Sequence, residues 1–151
     1  MDQVNSKPKG GLVIYTDGCS RGNPGEGGGG AVLKDDRGET VARLTEFLGL
    51  VTNNVAEYRA LMLGLREAIL RGAPEVSIFV DSELIAHQIN GVYRVRDERL
   101  KALHDQVREM LRQFRRWSIT VIPREANREA DRLARQAVRE RAAQVVADPM
   151  P

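Results

Sequence analysis

The stretch Gly11-Leu12-Val13-Ile14-Tyr15-Thr16-Asp17-Gly18 is an apolar run that ends in a carboxylate. Its β-branched and aromatic residues predict a strand over Gly11–Thr16, buried on both faces. The glycine-rich segment that follows, Gly18 to Gly30, is expected to be a loop. A second apolar run, Val76–Val80, ends in the same way at Asp81. If the two strands are parallel neighbours, both carboxylates lie at the edge of the sheet where α/β proteins bind ligands.

The rest of the chain predicts an α/β fold around these two strands. Further strands are predicted at Ala31–Lys34, Thr40–Leu50 and Trp117–Ile122, and the first two form a hairpin. Helices are predicted at Asn53–Arg71, Ser82–Asn90, Glu98–Phe114 and Glu129–Val146, with a loop at Pro123–Arg128. This order predicts a five-stranded mixed sheet, three meander strands plus two parallel strands, with helices on both faces.

Length and composition predict one folded domain. The chain has 151 residues, of which 42% are hydrophobic, and this is enough for one core. We expect the domain to span residues 11–146, after a flexible segment at 1–10 and before a frayed tail at 147–151. A single cysteine, Cys19, excludes an intrachain disulfide, and no apolar run approaches the roughly 20 residues of a membrane span. These features predict a soluble, cytoplasmic protein without a membrane segment, and a monomer by default.

The charge of the chain is unevenly distributed. The formal net charge is only +2, yet the segment 91–116 holds eight basic residues and four acidic ones. A local basic excess on a nearly neutral chain is typical of a face that binds a polyanion. On this feature alone, a solvated helix surface is the better interpretation.

Two more acids occupy unusual positions. Glu57 lies four residues before Leu61 on the apolar stripe of its helix, and Asp131 is placed similarly on the last helix. A charge on a buried stripe is rare without a partner. Taken singly, each acid is explained by a turn cap or by pairing with an arginine. Together with Asp17 and Asp81 they predict a pocket for Mg²⁺ or Mn²⁺, which prefer hard oxygen ligands.

Four acids of this kind are typical of two-metal phosphoryl transfer, in which ions about 3.5–4 Å apart activate a water and stabilise the leaving oxygen. Zinc chemistry is disfavoured because Cys19, His87 and His104 lack ligand spacing. A serine hydrolase is also disfavoured, since the sequence has no Gly-x-Ser-x-Gly nucleophile elbow.

Four segments of the chain, in order, resemble the motifs of the type 1 ribonuclease H family. They are Tyr15-Thr16-Asp17-Gly18 with Gly22-Asn23-Pro24-Gly25 and Gly27–Gly30, then Thr52-Asn53-Asn54-Val55-Ala56-Glu57, then Asp81-Ser82, then Ala126-Asn127-Arg128-Glu129-Ala130-Asp131. The similarity runs from about Gly11 to Ala142. It implies a ribonuclease H-like fold and an endonuclease that hydrolyses the RNA strand of RNA–DNA hybrids, leaving 5′-phosphate and 3′-hydroxyl ends.

The resemblance also implies roles for individual residues. Two Mg²⁺ ions, with Mn²⁺ as a substitute, would be bound by the catalytic residues Asp17, Glu57, Asp81 and Asp131, with Asp17 as the bridge. Substrate contacts are implied for Gly18, Cys19, Ser20, Asn23, Thr52, Asn53, Asn54 and Ser82. Thr52 matches a position near the DNA-strand phosphate pocket. The asparagines match residues at the minor groove of the hybrid, where amides can hydrogen-bond the 2′-hydroxyl of RNA.

The chain departs from the family pattern in three places. The segment Gly91–Glu98 is too short for a basic protrusion, so we expect the helix within Glu98–Arg116 to supply phosphate contacts instead. The loop Pro123–Arg128 has no histidine, and Arg124 is the candidate for its role in product release or phosphate contact. Its permanent charge can orient a phosphate but cannot shuttle protons near neutral pH. Finally, Glu83 occupies a position where glutamine is familiar.

The sequence leaves three alternatives open. The chain could be a relative on the same scaffold, such as a proofreading exonuclease or a transposase core, although Asn53-Asn54 argues against this. It could be a hybrid-binding module without catalysis, although all four acids are present. It could also be an α/β domain whose acids are only structural, in which case they would take up no Mg²⁺.

Overall fold

The computed structural model describes residues 10–147. Its elements are β1 (Leu12–Gly22), β2 (Gly25–Lys34), β3 (Thr40–Val51), α1 (Asn53–Leu70), β4 (Glu75–Val80), α2 (Glu83–Ile89), α3 (Glu98–Leu111), β5 (Arg116–Val121), a 3₁₀ turn (Arg124–Asn127) and α4 (Arg128–Ala147). The predictions of a flexible segment at 1–10 and a frayed tail at 147–151 lie outside the described residues, apart from residues 10 and 147.

The five strands form one mixed sheet in the order β3-β2-β1-β4-β5. The first three pair antiparallel as a meander, while β4 pairs parallel with both β1 and β5. This confirms the predicted fold class. The parallel β1–β4 pairing also confirms the prediction that the two strands ending in acids are neighbours, on which the predicted site depends.

The prediction of a loop over Gly18–Gly30 is wrong. Strand β1 continues through Asp17 to Gly22, the chain turns at Asn23-Pro24, and β2 begins at Gly25. The glycines permit close packing on the sheet. A Cβ at Gly28 would lie 2.2 Å from the carbonyl oxygen of Ala134 in α4. Because this segment is rich in glycine and carries few apolar side chains, its β pattern is absent from the sequence although β1 and β2 pair through it.

Helices cover both faces of the sheet, as predicted. The missing Cβ of Gly28 faces α4, whereas that of Gly29 faces Ala60 of α1, since neighbouring strand residues point to opposite faces. On the α1 side, the buried core joins β1 and β4 to α1 through Ile14, Leu61 and Ile78. Helices α2 and α3 close the same side, where the Tyr58 hydroxyl donates to Gln88 Oε1 at 2.6 Å.

Some element ends differ from the prediction. Helix α3 ends at Leu111 rather than at Phe114, because the chain tightens into a turn in which the Phe114 amide donates to the Leu111 carbonyl. The predicted loop Pro123–Arg128 contains the 3₁₀ turn. No helix within residues 10–147 combines the length and the apolar character that a bilayer crossing requires.

Candidate active site

Three carboxylates meet at the carboxyl edge of the parallel strands. One ligand oxygen each from Asp17, Glu57 and Asp81 lies within 4.8 Å of the other two. The strand register explains the first pair, because Tyr15 of β1 pairs with Phe79 of β4 and each acid comes two residues later. Asp17 therefore lies within β1 rather than after it, while Asp81 follows the last residue of β4, as predicted.

Gly18 brings the third carboxylate to the other two. A Cβ at this position would lie 2.2 Å from the carbonyl carbon of Ala56 and 2.5 Å from the amide nitrogen of Glu57. The first turns of α1 therefore rest directly on the β1 backbone. The Gly18 amide donates to Glu57 Oε1 at 3.4 Å. The absence of a side chain at Gly18 is thus what lets α1 deliver its acid to the cluster.

Asp131 lines the same cleft but lies outside the three-carboxylate cluster. Its carboxylate accepts from Arg135 Nη2 at 2.7 Å and from Arg135 Nε at 3.3 Å. It also lies close enough to Asp17 to contribute to the raised pKa of that carboxyl. The fourth predicted ligand is therefore adjacent to the cluster, with an arginine one helical turn away as its partner.

Burial and mutual repulsion perturb the clustered acids. Burial, followed by the charges of Glu57 and Asp81, raises the pKa of Asp17 to about 10. Burial and then the charge of Asp81 raise the pKa of Glu57 to about 8, against lowering contributions from Asp17, Gly18 and Arg124. A bound divalent cation would remove this repulsion. The donor set, all carboxylate oxygen, fits Mg²⁺ or Mn²⁺.

The cleft above the acids has a volume of about 370 Å³. Its lining contains several of the predicted site residues, and these are Asp17, Gly18, Cys19, Ser20, Asn53, Glu57, Arg124 and Asp131, together with Arg135. Burial raises the pKa of the Cys19 thiol. This side chain therefore lines the cleft as a neutral thiol rather than as a thiolate nucleophile.

The other predicted contact residues lie around the start of α1 or cap a helix. Asn23 Oδ1 accepts from the Asn53 amide at 2.9 Å, which ties the β1–β2 turn to α1. Thr52 caps α1, and Asn54 lies beside it in a second cleft of about 170 Å³. Ser82 lies apart from this group, because its hydroxyl caps α2 by accepting from Ile85 at 3.2 Å.

The structure adds two residues to which the sequence analysis gave no role. Asn127 lies at the end of the 3₁₀ turn, is 1% exposed and donates to Asp81. Nothing in the local sequence indicates this contact, because its partners are 46 and 111 residues away. Arg135 was detectable, since an acid and an arginine four residues apart on a helix commonly pair.

The fold and the carboxylate cluster together define an α/β domain with a candidate divalent-cation centre. The protein family described as "Reverse transcriptase-like" matches residues 15–137. A ribonuclease HI of Halobacterium salinarum is 40% identical over 131 residues, which cover 86% of this chain and 66% of that protein. A bifunctional protein of Mycobacterium tuberculosis is 41% identical over 141 residues, or 93% of this chain. The chain spans about two fifths of that relative's length, 39%.

Solved structures of ribonucleases H1 also resemble this chain. The ribonuclease H1 of Halobacterium salinarum superposes with a TM-score of 0.85 at 39% identity, covering 87% of this chain and 99% of that one. LC11 ribonuclease H1, solved in complex with an RNA/DNA hybrid, gives a TM-score of 0.83 at 37% identity, covering 87% and 99%. The chain belongs to the type 1 ribonuclease H family.

Proposed function

We propose that this chain is an endonuclease that hydrolyses the RNA strand of RNA–DNA hybrids, leaving 5′-phosphate and 3′-hydroxyl ends. The observation that carries the proposal is the convergence of Asp17, Glu57 and Asp81 within 4.8 Å, from three different elements. The relative LC11 ribonuclease H1, at 37% identity, was solved with an RNA/DNA hybrid, which supports the same substrate class here.

The carboxylates are the groups that would hold the metal. Asp17, Glu57 and Asp81 bring ligand oxygens within 4.8 Å of one another, and Asp131, which lines the same cleft, would be a further ligand. When bound, two Mg²⁺ ions, or Mn²⁺ in their place, would activate water and neutralise charge on the leaving oxygen. Asp17 is the most buried of the three clustered acids and is surrounded by the other acids, which suits the predicted bridging role.

The surrounding residues would bind and orient the hybrid. Asn53 lines the cleft of the acids, and Asn54 and Thr52 line the adjoining one. Amides at this position can hydrogen-bond the 2′-hydroxyl, which is the group that distinguishes RNA from DNA. Arg124 also lines the cleft, where its guanidinium can orient a phosphate in two-point contact. We propose Arg124 as the phosphate contact that replaces the family histidine.

A cleavage assay tests the proposed function. End-labelled RNA–DNA hybrid, duplex RNA, duplex DNA and single strands are each incubated with Mg²⁺, Mn²⁺ or chelator. We expect internal cuts in the RNA of the hybrid that depend on the added metal. We also expect product ends that a ligase can join, because ligation requires a 5′-phosphate and a 3′-hydroxyl. Preferential cutting of single-stranded ends would favour an exonuclease, and tight hybrid binding without cleavage would favour a binding module.

An Asp17→Asn variant tests the assignment of the acids. Replacing a metal ligand should cost more than the roughly 10–100-fold loss typical when a group that supports a ligand is removed. We therefore expect hybrid cleavage to fall by more than about 100-fold while the circular dichroism spectrum is unchanged. Asp36→Asn, an exposed acid in the β2–β3 turn, is the matched control and should cleave like the parent protein. Retained cleavage by Asp17→Asn would refute the assignment.

A further inference from the structure

The side chain of Asn127 connects the two strands that carry the acids. Its Nδ2 donates to the backbone carbonyl of Thr16 at 2.9 Å and to Asp81 Oδ2 at 3.0 Å. Thr16 is the residue immediately before Asp17 in β1. One amide group therefore contacts the backbone beside the first acid and the carboxylate of the third. Asn127 is 1% exposed, so its amide and the bond to Thr16 are shielded from water, while the bond to Asp81 is partly buried.

The orientation of this amide follows from its neighbours. Both atoms within hydrogen-bond reach are oxygens that only accept, so the NH₂ group has to face them. Turning the amide over would place Oδ1 against two oxygens. As it stands, Oδ1 is buried and has no hydrogen-bond partner among the described side chains and backbone. A buried acceptor left unpaired costs free energy. We infer from this cost that the two bonds donated by Nδ2 have a specific role.

We propose that Asn127 is a positioning residue that holds the Asp81 carboxylate beside Asp17 and thereby sets the affinity of the site for divalent cations. The proposal rests on the proposed function, because it assumes that these acids bind the metal. Asp81 follows the end of β4 and is only half-buried, so the sheet alone does not fix its side chain. Donation to Oδ2 fixes one oxygen of the carboxylate and leaves Oδ1 available to a cation.

An uncharged donor suits this task better than a cationic one. An arginine would neutralise the carboxylate and compete with a metal. Asp131, by contrast, has such a cationic partner in Arg135. An amide restrains the carboxylate and leaves its full negative charge available. Partners of metal ligands generally act in this way, and their loss lowers metal affinity or activity by about 10–100-fold.

The same residue also anchors the helix that carries the fourth acid. Asn127 ends the 3₁₀ turn directly before α4, and Asp131 follows four residues later. Its bond to the Thr16 carbonyl fixes the start of α4 against β1. Loss of Asn127 should therefore loosen Asp81 directly and Asp131 through the helix.

Metal binding by the full chain tests the proposal without any cleavage reaction. We expect Asn127→Ala to weaken Mn²⁺ binding by about 10–100-fold, measured as free Mn²⁺ by electron paramagnetic resonance, with Mg²⁺ as competitor. Asn90→Ala is the matched control. Asn90 Nδ2 also bonds a distant backbone carbonyl, that of Ile119 at 3.1 Å, but contacts no acid. The control should change Mn²⁺ affinity less than about 3-fold, a loss too small to indicate a lost ligand partner.

A double-mutant cycle separates positioning from a general loss of structure. In an Asp81→Ala background the acceptor is absent, so Asn127→Ala should weaken Mn²⁺ binding by much less than in the parent, with only the part transmitted through α4 to Asp131 remaining. Asn127→Leu, which keeps the side-chain volume, guards against a cavity effect and should match Asn127→Ala. Folded variants with parental Mn²⁺ affinity would overturn the proposal, as would additive losses in the cycle. Unfolding of both Asn127 variants while Asn90→Ala folds would overturn it too, because Asn127 would then be structural.

The outcome is independent of the cleavage assay. If the parent chain binds Mn²⁺ tightly but cuts no hybrid, the proposed function fails while the role of Asn127 is still measured by metal affinity. If the parent cuts hybrid and Asn127→Ala binds Mn²⁺ normally, the proposed function holds and the role of Asn127 fails.

Discussion

At the scale of single residues, the carboxylate cluster makes the metal-free protein sensitive to pH. Asp17 has an ordinary pKa of 3.8 that burial and its acidic neighbours raise to about 10, and Glu57 shifts from 4.5 to about 8 in the same direction. At a pH between the ordinary pKa of each acid and its raised pKa, the folded chain holds a proton that the unfolded chain has released. The contribution of these protons to stability is therefore complete below about pH 4 and is lost as pH rises toward the folded values.

Asp17→Asn should remove most of this dependence. The amide needs no proton on folding, so the variant should be more stable than the parent by roughly 2–4 kcal/mol at pH 8 in chelator, and the difference should shrink toward pH 5. Thermal unfolding followed by circular dichroism across this range measures it. Added Mg²⁺ should stabilise the parent more than the variant, since only the parent keeps its full ligand set. A difference that grows as pH falls would contradict the prediction.

The three clustered acids could be found from sequence because each breaks a local pattern. Asp17 and Asp81 come directly after apolar runs, and Glu57 lies on an apolar helix stripe. The partners of these acids could not be found in the same way. Asn127 contacts Asp81, which lies 46 residues away in the sequence, and the periodicity of apolar residues cannot predict such a contact. A local pattern thus reveals an unusual residue, whereas its hydrogen-bond partner depends on the tertiary fold.

At the scale of elements, the glycines of β2 set how closely both layers of helices approach the sheet. A Cβ at Gly28 would lie 2.2 Å from the Ala134 carbonyl oxygen, and one at Gly30 would lie 2.3 Å from that of Ala130. Both obstacles are backbone atoms of α4, which cannot move without moving the helix. At Gly29 the nearest atoms belong to Ala60 at 3.3 Å, a tight but tolerable contact.

This difference predicts the effects of three alanine substitutions. Gly28→Ala and Gly30→Ala should each lower the free energy of unfolding by about 3 kcal/mol, since overpacking forces α4 off the sheet. Gly29→Ala on the opposite face should cost about 1 kcal/mol or less and is the matched control. Urea unfolding followed by circular dichroism gives all three values. Equal losses at the three positions would show that backbone flexibility of the glycines, rather than helix packing, governs the cost.

The same glycines explain why the sequence predicted a loop here. Strand prediction depends on side chains that alternate between two faces, and Gly27–Gly30 has none. The backbone nevertheless pairs on both sides, with β1 and with β3. Apart from the end of β1 and the start of β2, every strand and helix was predicted within a few residues of its observed bounds. The error lies in the segment Gly18–Gly30, where close helix packing, instead of side-chain patterning, selects several of the glycines.

At the scale of the whole molecule, two adjoining clefts line one side of the domain. The first is lined by Asn53 and by three of the four acids, and the second lies between the starts of α1 and α3, where Thr52, Asn54 and Arg99 meet. Arg99 belongs to the basic segment 91–116 and supplies positive charge to the second cleft. Sequence alone indicated the excess charge but could not say which arginine faces the clefts, because that depends on how α3 packs against α1.

Arg99→Ala should therefore weaken the binding of RNA–DNA hybrid, and Lys101→Ala should not. Both residues are exposed on α3, but two helical positions differ by about 200°, and Lys101 faces Asp105 instead of the second cleft. Losing one charge-assisted phosphate contact should weaken binding about 10-fold and reduce the slope of log affinity against log salt by about 1. Fluorescence anisotropy of labelled hybrid in chelator, from low to moderate salt, measures both quantities without cleavage. Equal losses for the two variants would mean that α3 attracts the hybrid through its overall charge, and that the second cleft is not the path of the substrate.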